Sequence, residues 1–241
     1  MMAAMLRALT GLFALLAGGL GAGSAVAAER RYVAQDFDRI VVEGPFLVRL
    51  ATGRATTASA QGSQQALDGI VVDVQGTTLR VRRNRTAWTG AQTRPVEPAT
   101  VTLSTRVLRS ARVVGSGQLD ITGLAGQRVD LVVQGSGRLG ATGINADNLS
   151  VGLIGSGSIT LAGTAETFTA ELQGSGSLLA PGLSVETATI SATTTGNVAI
   201  HARRAVTVNA NGLGEVIVAG RPACTVRGPG ASEVRCGGGD R

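Results

Sequence analysis

One segment of the 241-residue chain, from Gly115 to about Gly196, repeats nearly the same pattern four times. The repeats begin at Gly115, Gly135, Gly155 and Gly174, so the period is 20, 20 and then 19 residues. A fixed period of this size is typical of solenoids, in which each repeat stacks on its neighbours. Every repeat opens with a Gly-Ser-Gly segment, and we interpret these segments as structural turns, which comprise Gly115, Ser116, Gly117, Gly135, Ser136, Gly137, Gly155, Ser156, Gly157, Gly174, Ser175 and Gly176.

Apolar residues recur in the same columns after every turn. A short alternating run is followed by a glycine and then by a longer alternating run, which predicts strands with one buried and one exposed face. The pattern therefore predicts an all-β fold, a parallel β-helix or solenoid with coils of about 20 residues. A propeller blade would need about 40 residues, and an antiparallel sandwich would not require identical turns at equal spacing. Two of the columns are Leu119, Leu139, Ile159 and Leu178, and Val129, Leu149, Phe168 and Ala188.

The segment before the repeats predicts strands of a less regular kind. Residues 37–50 are typical of two strands around a turn at Gly44 and Pro45. Residues 70–74 and 78–82 predict a hairpin, with Leu79 and Val81 on one face of its second strand. We also expect strands at 101–103 and 112–114, and polar loops at 51–66 and at 84–99, the second of which contains Trp88.

The first 27 residues have the pattern of a secretory signal. One positive residue, Arg7, precedes an apolar run and a small-residue segment that ends at Ala27 and Ala28. The uninterrupted run is short for a membrane anchor, which needs about 20 apolar residues. We therefore expect cleavage after Ala27, with cleavage after Ala28 as the alternative, no transmembrane span in the mature chain, and export to the periplasm or cell surface of a bacterium.

Two cysteines, Cys224 and Cys236, are the only ones in the chain. An exported protein folds in an oxidising compartment, where such a pair favours a disulfide. The turn residues Gly228, Pro229 and Gly230 between them would bring the two sulfurs together. We expect residues 36–236 to form a single solenoid domain that ends with this bridge.

The charge of the chain is unevenly distributed. Residues 28–112 contain 13 arginines and 7 acidic residues, whereas residues 113–200 contain 2 arginines and 6 acidic residues. Such basic segments favour an anionic partner surface, either an acidic polysaccharide or a phosphorylated glycolipid. Nucleic acid is not expected, because the aromatic residues on which bases stack are nearly missing from the sequence.

No group of residues in the sequence is typical of an active site. The serines of the turns would need a base, and the single histidine, His201, lies outside the repeats. A second column combines Gln127, Asp147, Glu166 and Glu186, and stacked carboxylates of this kind could hold a hard cation such as calcium. Solvated acids are the simpler interpretation, so we predict no catalytic residue, no metal and no cofactor.

Several segments together resemble a known bacterial family. They are the opening at 37–40, the Gly-Pro segment at 44–48, the recurrent Gly-Ser-Gly turns, and the ending at 212–222. In this order they resemble the "putative auto-transporter adhesin, head GIN domain" family, first described as a domain of unknown function. The resemblance covers about residues 36 to 236 and implies a right-handed β-helix-like stack in exported envelope proteins.

Three functions follow from these observations. The first is an exported, non-catalytic adhesin or envelope-binding module whose partner is envelope polysaccharide or another envelope protein. The second is a periplasmic structural or signalling-accessory protein that contacts another protein. The third is a polysaccharide-active enzyme, which is disfavoured because the coils lack the long side loops that would build a catalytic cleft. The sequence leaves the oligomeric state open.

Overall fold

The computed structural model describes residues 28–84 and 98–238, and most of these residues lie in β-strands. Within this part of the chain, seventeen strands join into one continuous sheet that winds around itself. Successive coils are parallel and in register, so that Leu131 pairs with Val151 and Val151 pairs with Ala170. These pairs are one period apart, and the predicted parallel β-helix is confirmed.

The longest strands lie in the regular repeats, and the strands at both ends of the chain are shorter. The strands are β1 Ala28–Arg31, β2 Arg39–Glu43, β3 Leu47–Thr52, β4 Thr57–Gly62, β5 Ile70–Gln75, β6 Thr78–Arg83, β7 Thr100–Thr105, β8 Ser110–Gly115, β9 Gln118–Thr122, β10 Ala125–Gly135, β11 Arg138–Gly155, β12 Ser158–Gly174, β13 Ser177–Thr194, β14 Val198–Ala210, β15 Val216–Gly220, β16 Ala223–Arg227 and β17 Val234–Gly238. One α-helix, α1 Gln64–Asp68, and one 3-10 turn, Ala231–Glu233, complete the described elements.

Each regular coil has three sides, which is one more than the two alternating runs of the sequence pattern. In β11 the buried residues alternate within a side and skip an extra residue at each corner. A tight corner at Gly143 has a φ of +65°, a left-handed conformation that glycine adopts without strain. The side chains that point inward are Leu139 and Ala141 on the first side, Ile144 and Ala146 on the second, and Leu149, Val151 and Leu153 on the third.

The first and third sides carry most of the surface. We call the outward surface of the third side the broad face; it is built from β2, β5, β6, β8, β16 and the C-terminal parts of β10 to β14. We call the outward surface of the first side the short face; it is built from β3, β7, β9, β15, β17 and the first residues of β11 to β14. Both faces present flat rows of side chains, about 4.8 Å apart from coil to coil.

The N-terminal end is closed by strands that run the other way. The coil formed by β2 and β3 lies between β8 and β9 on one side and β6 and β7 on the other. Beyond them, β5 pairs antiparallel with β6, β4 pairs antiparallel with β7, and β1 pairs antiparallel with β4. The hairpin predicted at residues 70–82 is therefore confirmed, and Leu79 and Val81 are fully buried.

The C-terminal end continues the coils until the chain is cross-linked. Thr195 donates its backbone N–H to the Gly174 carbonyl at 3.0 Å, and Gly230 donates to the Ala210 carbonyl at 3.0 Å. The disulfide expected between Cys224 and Cys236 is present, with the two Cα atoms 6.6 Å apart. It joins β16 on the broad face to β17 on the short face, so it ties the last coil across its corner.

One expectation from the sequence is wrong. Residues 51–66 are not a polar loop, because they contain β4 and the start of α1. Two small residues, Ala58 and Ala60, point into the core from β4, and Ser63 caps α1 by accepting a hydrogen bond from the Ala66 N–H at 3.2 Å. The signal segment 1–27 and most of the expected loop at 84–99, including Trp88, lie outside the described residues. Across 28–84 and 98–238, no helix has the length and apolarity to cross a membrane.

Candidate binding groove

A groove crosses the N-terminal half of the broad face. It spans the strands β8, β10, β11 and β12, is bordered by Arg39 of β2, and has a volume of about 700 Å³. Three steps between neighbouring strands separate β8 from β12, so the groove runs roughly 14 Å along the solenoid axis. Its charged side chains are Arg39, Arg109, Arg112, Arg128, Asp130 and Glu171.

The groove exists because one side chain is missing from a row of the broad face. Arg112, Val132, Gly152 and Glu171 follow one another in register on successive coils. Gly152 therefore leaves a depression between Val132 and Glu171. A Cβ atom placed on Gly152 would have the Val132 methyls as its nearest neighbours, at 3.7 and 3.8 Å, so the space above this glycine is open.

The four arginines of the groove fall into two pairs with different partners. Arg39 and Arg109 share the carboxylate of Asp38, with N to O distances of 4.0 and 3.7 Å. Arg112 and Arg128 are exposed, and among the described residues neither forms an ion pair or a side-chain hydrogen bond. Because a guanidinium offers several donors in a planar fork, these two arginines are free to bind an anionic group of a ligand.

Acceptors and hydroxyls lie in the neighbouring row of the same groove. Ser110, Asp130, Ser150 and Thr169 pair in register on successive coils. Neither Asp130 nor Glu171 forms an ion pair with another described residue. The groove thus combines unpaired cations with carboxylates and hydroxyls that can accept and donate hydrogen bonds.

The C-terminal half of the broad face differs from the groove because it carries no charge over two coils. Outward positions of β13 and β14 are filled by small hydroxyl and amide side chains and by Ala205. Several of them stack in register, as Thr169, Thr189 and Thr207 do. The broad face therefore divides into a charged groove and a neutral hydroxyl surface, whose outward polar residues on β13 and β14 are Thr187, Thr189, Ser191, Thr193, Thr207 and Asn209.

The Gly-Ser-Gly segments lie at one corner of the solenoid. Ser136 and Ser156 donate their backbone N–H groups to the carbonyls of Gly115 and Gly135, each at 3.0 Å, so the corner has its own ladder of hydrogen bonds. The one histidine that could act as a base for these serines does not lie beside them. His201 pairs in register with Ser184 and with Ala219, and no hydrogen bond joins it to a corner serine among the described residues.

The residues of the acidic column do stack on successive coils, but they form no metal site in the described part of the chain. Register places Gln127, Asp147, Glu166 and Glu186 above one another at the corner between the second and third sides. Glu186 forms ion pairs with Arg203 at 2.9 Å and with Arg204 at 3.6 Å, which neutralise that end of the column. No group of three His, Cys, Asp or Glu residues within 28–84 and 98–238 is close enough to hold a metal ion.

Two side chains with shifted pKa values lie at the N-terminal end of the solenoid, away from the groove. Burial raises the pKa of the Tyr32 hydroxyl, and the nearby Arg30 partly opposes this rise. Arg30 itself bonds the Asp68 carboxylate at 2.6 Å, and that hydrogen bond raises the pKa of its guanidinium. This cluster connects β1 to α1 and has a structural role.

The fold and the groove define a class: a parallel β-helix that offers a flat polar face to a partner. The chain belongs to the family described as "Putative auto-transporter adhesin, head GIN domain", whose model matches residues 36–222. The description of the family names a putative adhesin and no enzymatic activity. Membership, together with the disulfide, fits an extracellular or envelope protein. Among curated proteins, none matches the chain.

Solved structures of bacterial proteins share the fold. A putative adhesin from Bacteroides fragilis NCTC 9343 has a TM-score of 0.75 at 20% identity, with 85% of this chain and 95% of that chain covered. A putative lipid binding protein from Parabacteroides distasonis ATCC 8503 has a TM-score of 0.67 at 22% identity, with 86% and 96% covered. A putative adhesin from Parabacteroides merdae ATCC 43184 has a TM-score of 0.61 at 18% identity, with 90% and 96% covered.

The groove itself was not predicted from the sequence. Most of its residues come from the four strands β8, β10, β11 and β12, which are about one period apart, and its floor is marked only by a glycine in a row of larger side chains. Outward columns would have been the signal, since Arg112, Val132, Gly152 and Glu171 occupy equivalent positions of successive repeats. The uneven charge noted above does point to the same region, because three of the four arginines precede residue 113.

Proposed function

We propose that this chain is an exported, non-catalytic adhesin of the bacterial cell envelope, which binds another envelope component through its broad face. The unpaired arginines of the groove carry the proposal, because exposed guanidiniums without partners are suited to hold an external anion. Residues 36–236 act as one folding unit in this proposal, and the single continuous core from Phe37 to Val218 supports that view.

The absence of a catalytic group in the described residues supports a binding role over an enzymatic one. A glycoside-cleaving site needs two carboxyl groups that flank the scissile bond, and a metal-assisted site needs a ligand cluster. The carboxylates of the groove, Asp130 and Glu171, face the solvent on the flat broad face beside Arg112 and Arg128.

A steric block on one face tests this function. Ser150 on the broad face and Ser158 on the short face are each replaced by cysteine, and a maleimide-polyethylene glycol chain is attached to the new thiol. We expect unlabelled and Ser158→Cys-labelled protein to be retained by isolated cell envelopes, and Ser150→Cys-labelled protein to be lost in the wash. Equal retention of the two labelled proteins, or no retention of the unlabelled protein, would refute the proposal.

A further inference from the structure

We infer that the groove binds an acidic polysaccharide, whose carboxylates or sulfates are held by Arg112 and by Arg128 while the polymer passes over Gly152. The inference rests on the proposed adhesin function and names the chemical class of its ligand. It follows from three properties of the groove: the unpaired cations, the mixed hydrogen-bonding groups and the open floor.

The cations define the anionic part of the ligand. Arg112 is in the row of Gly152, two coils away from it, and Arg128 belongs to the intervening strand β10. Both are exposed and line the same groove. A carboxylate or sulfate that approaches either guanidinium replaces its water and can accept bidentate hydrogen bonds from it.

The other side chains favour a sugar over a simple anion. Asp130 and Glu171 would repel an ion that brings only negative charge, but they are good acceptors for the hydroxyl groups of a sugar ring. Ser150 and Thr169 can both donate to and accept from such hydroxyls. A ligand that alternates negative groups and hydroxyls therefore fits the groove better than inorganic phosphate does.

The same residues argue against a lipid. An acyl chain needs an apolar surface, and Val132 and Val151 are the only large apolar residues among those that line the groove. Val151 is buried in the core, so Val132 alone presents an apolar side chain to the ligand. The linear shape of the groove, open to the neutral hydroxyl surface of β13 and β14, also suits a chain that continues beyond the charged part.

Charge removal at matched positions gives the first test. The mature chain and the double variant Arg112→Gln/Arg128→Gln are titrated with polygalacturonate and with dextran sulfate, and neutral dextran serves as the ligand control. The double variant Arg49→Gln/Arg138→Gln is the protein control, because both of its arginines are exposed on the short face and form no ion pair with a described residue. It removes the same charge from the opposite side of the solenoid.

The expected loss is moderate because the arginines are exposed. An ion pair in such a setting changes affinity by about fivefold, so the groove double variant should bind roughly 25-fold more weakly than the parent chain. The short-face variant should lose less than about twofold through the general field of the protein. Binding by the parent chain should also weaken as salt is raised, since screening acts strongly on exposed pairs.

A second variant changes the shape and leaves the charge alone. Gly152→Leu places a side chain in the open space above the floor, where the nearest atoms are the Val132 methyls. Ser191→Leu adds the same side chain in the same row, two coils further along and outside the groove. We expect Gly152→Leu to reduce binding of both acidic polymers by at least about tenfold, because a steric clash excludes the ligand, while Ser191→Leu remains within about twofold of the parent chain.

The outcomes separate this inference from the proposed function. Binding of the parent chain to cell envelopes without binding to either acidic polymer would overturn the inference and leave the adhesin function standing. Binding to phosphatidylglycerol vesicles in preference to both polymers would also overturn it, in favour of a lipid surface. Equal losses in the groove variants and their controls would show that the groove is not the site. Selective losses in Arg112→Gln/Arg128→Gln and in Gly152→Leu would support it.

Discussion

Replacement of Gly155 by alanine tests the physical basis of the Gly-Ser-Gly corner. Gly155 has a φ of +115°, a backbone conformation that residues with a side chain rarely adopt. A Cβ atom on this residue would lie 2.5 Å from the carbonyl oxygen of Gly135 and 3.2 Å from its Cα atom, on the coil below. The same carbonyl accepts the backbone N–H of Ser156 at 3.0 Å, so any shift that relieves the contact also disturbs the corner ladder.

The size of the effect follows from two contributions. Backbone strain at a residue held in a sparsely populated conformation costs about 1–3 kcal/mol. Insertion of a methyl group into packed backbone costs about another 1–3 kcal/mol. We therefore expect Gly155→Ala to lower the free energy of unfolding by about 2–6 kcal/mol, which is a large part of the roughly 5–15 kcal/mol that stabilises a typical domain.

The assay is urea unfolding followed by far-ultraviolet circular dichroism. Gly152→Ala is a matched control in the same strand, because this glycine does not have a positive φ and its added Cβ would only touch the Val132 methyls at 3.7 and 3.8 Å. We expect the control to stay within about 0.5 kcal/mol of the parent chain. A loss in Gly155→Ala no larger than that of the control would refute the view that the corner requires glycine for conformation and close approach.

Three further predictions concern the core, the disulfide and the N-terminus. Phe168→Ala should lower the free energy of unfolding in urea by about 3–5 kcal/mol, because Phe168 is fully buried. Thr169 is its exposed neighbour, and the control variant Thr169→Ala should change this free energy by less than about 0.5 kcal/mol. Similar losses in the two variants would contradict the prediction. The Cys224–Cys236 bridge closes a loop with a sequence separation of 12, and its reduction should lower the free energy of unfolding by about 3 kcal/mol. Thermal unfolding is compared with and without reductant, and equal unfolding temperatures would refute this expectation. N-terminal sequencing of the protein recovered from the exported fraction should begin at Ala28, and an intact N-terminus would contradict the predicted cleavage.

Much of the fold could be predicted because a solenoid repeats its constraints. The apolar columns and the glycine turns recur in every repeat, so the sequence contains several copies of the same pattern. The hairpin around Gly76 follows the local rules of turn formation. The strand at Thr57–Gly62 was missed for the opposite reason. Its inward residues are the alanines Ala58 and Ala60, whose apolar signal is weak, and its position depends on pairing with β7, more than 40 residues later.

The candidate site was harder to predict than the fold. Inward columns are conspicuous because burial demands apolar residues, whereas outward columns tolerate almost any side chain. The groove depends on one such outward column and on the register that places Gly152 between Val132 and Glu171. Such a column can be found by counting one period at a time, but which columns lie next to one another on the same face becomes visible only when the coils are stacked.

The constant coil length has a consequence for how such a chain can evolve. Tandem duplication of one 20-residue repeat would insert a complete rung and lengthen the molecule by about 4.8 Å, with every hydrogen-bonding partner renewed. An insertion between β13 and β14 would extend the neutral hydroxyl surface and leave the arginines of β8 and β10 where they are. The distance between the charged groove and the cross-linked C-terminal end can therefore change in steps of one coil, while the residues of the groove stay the same.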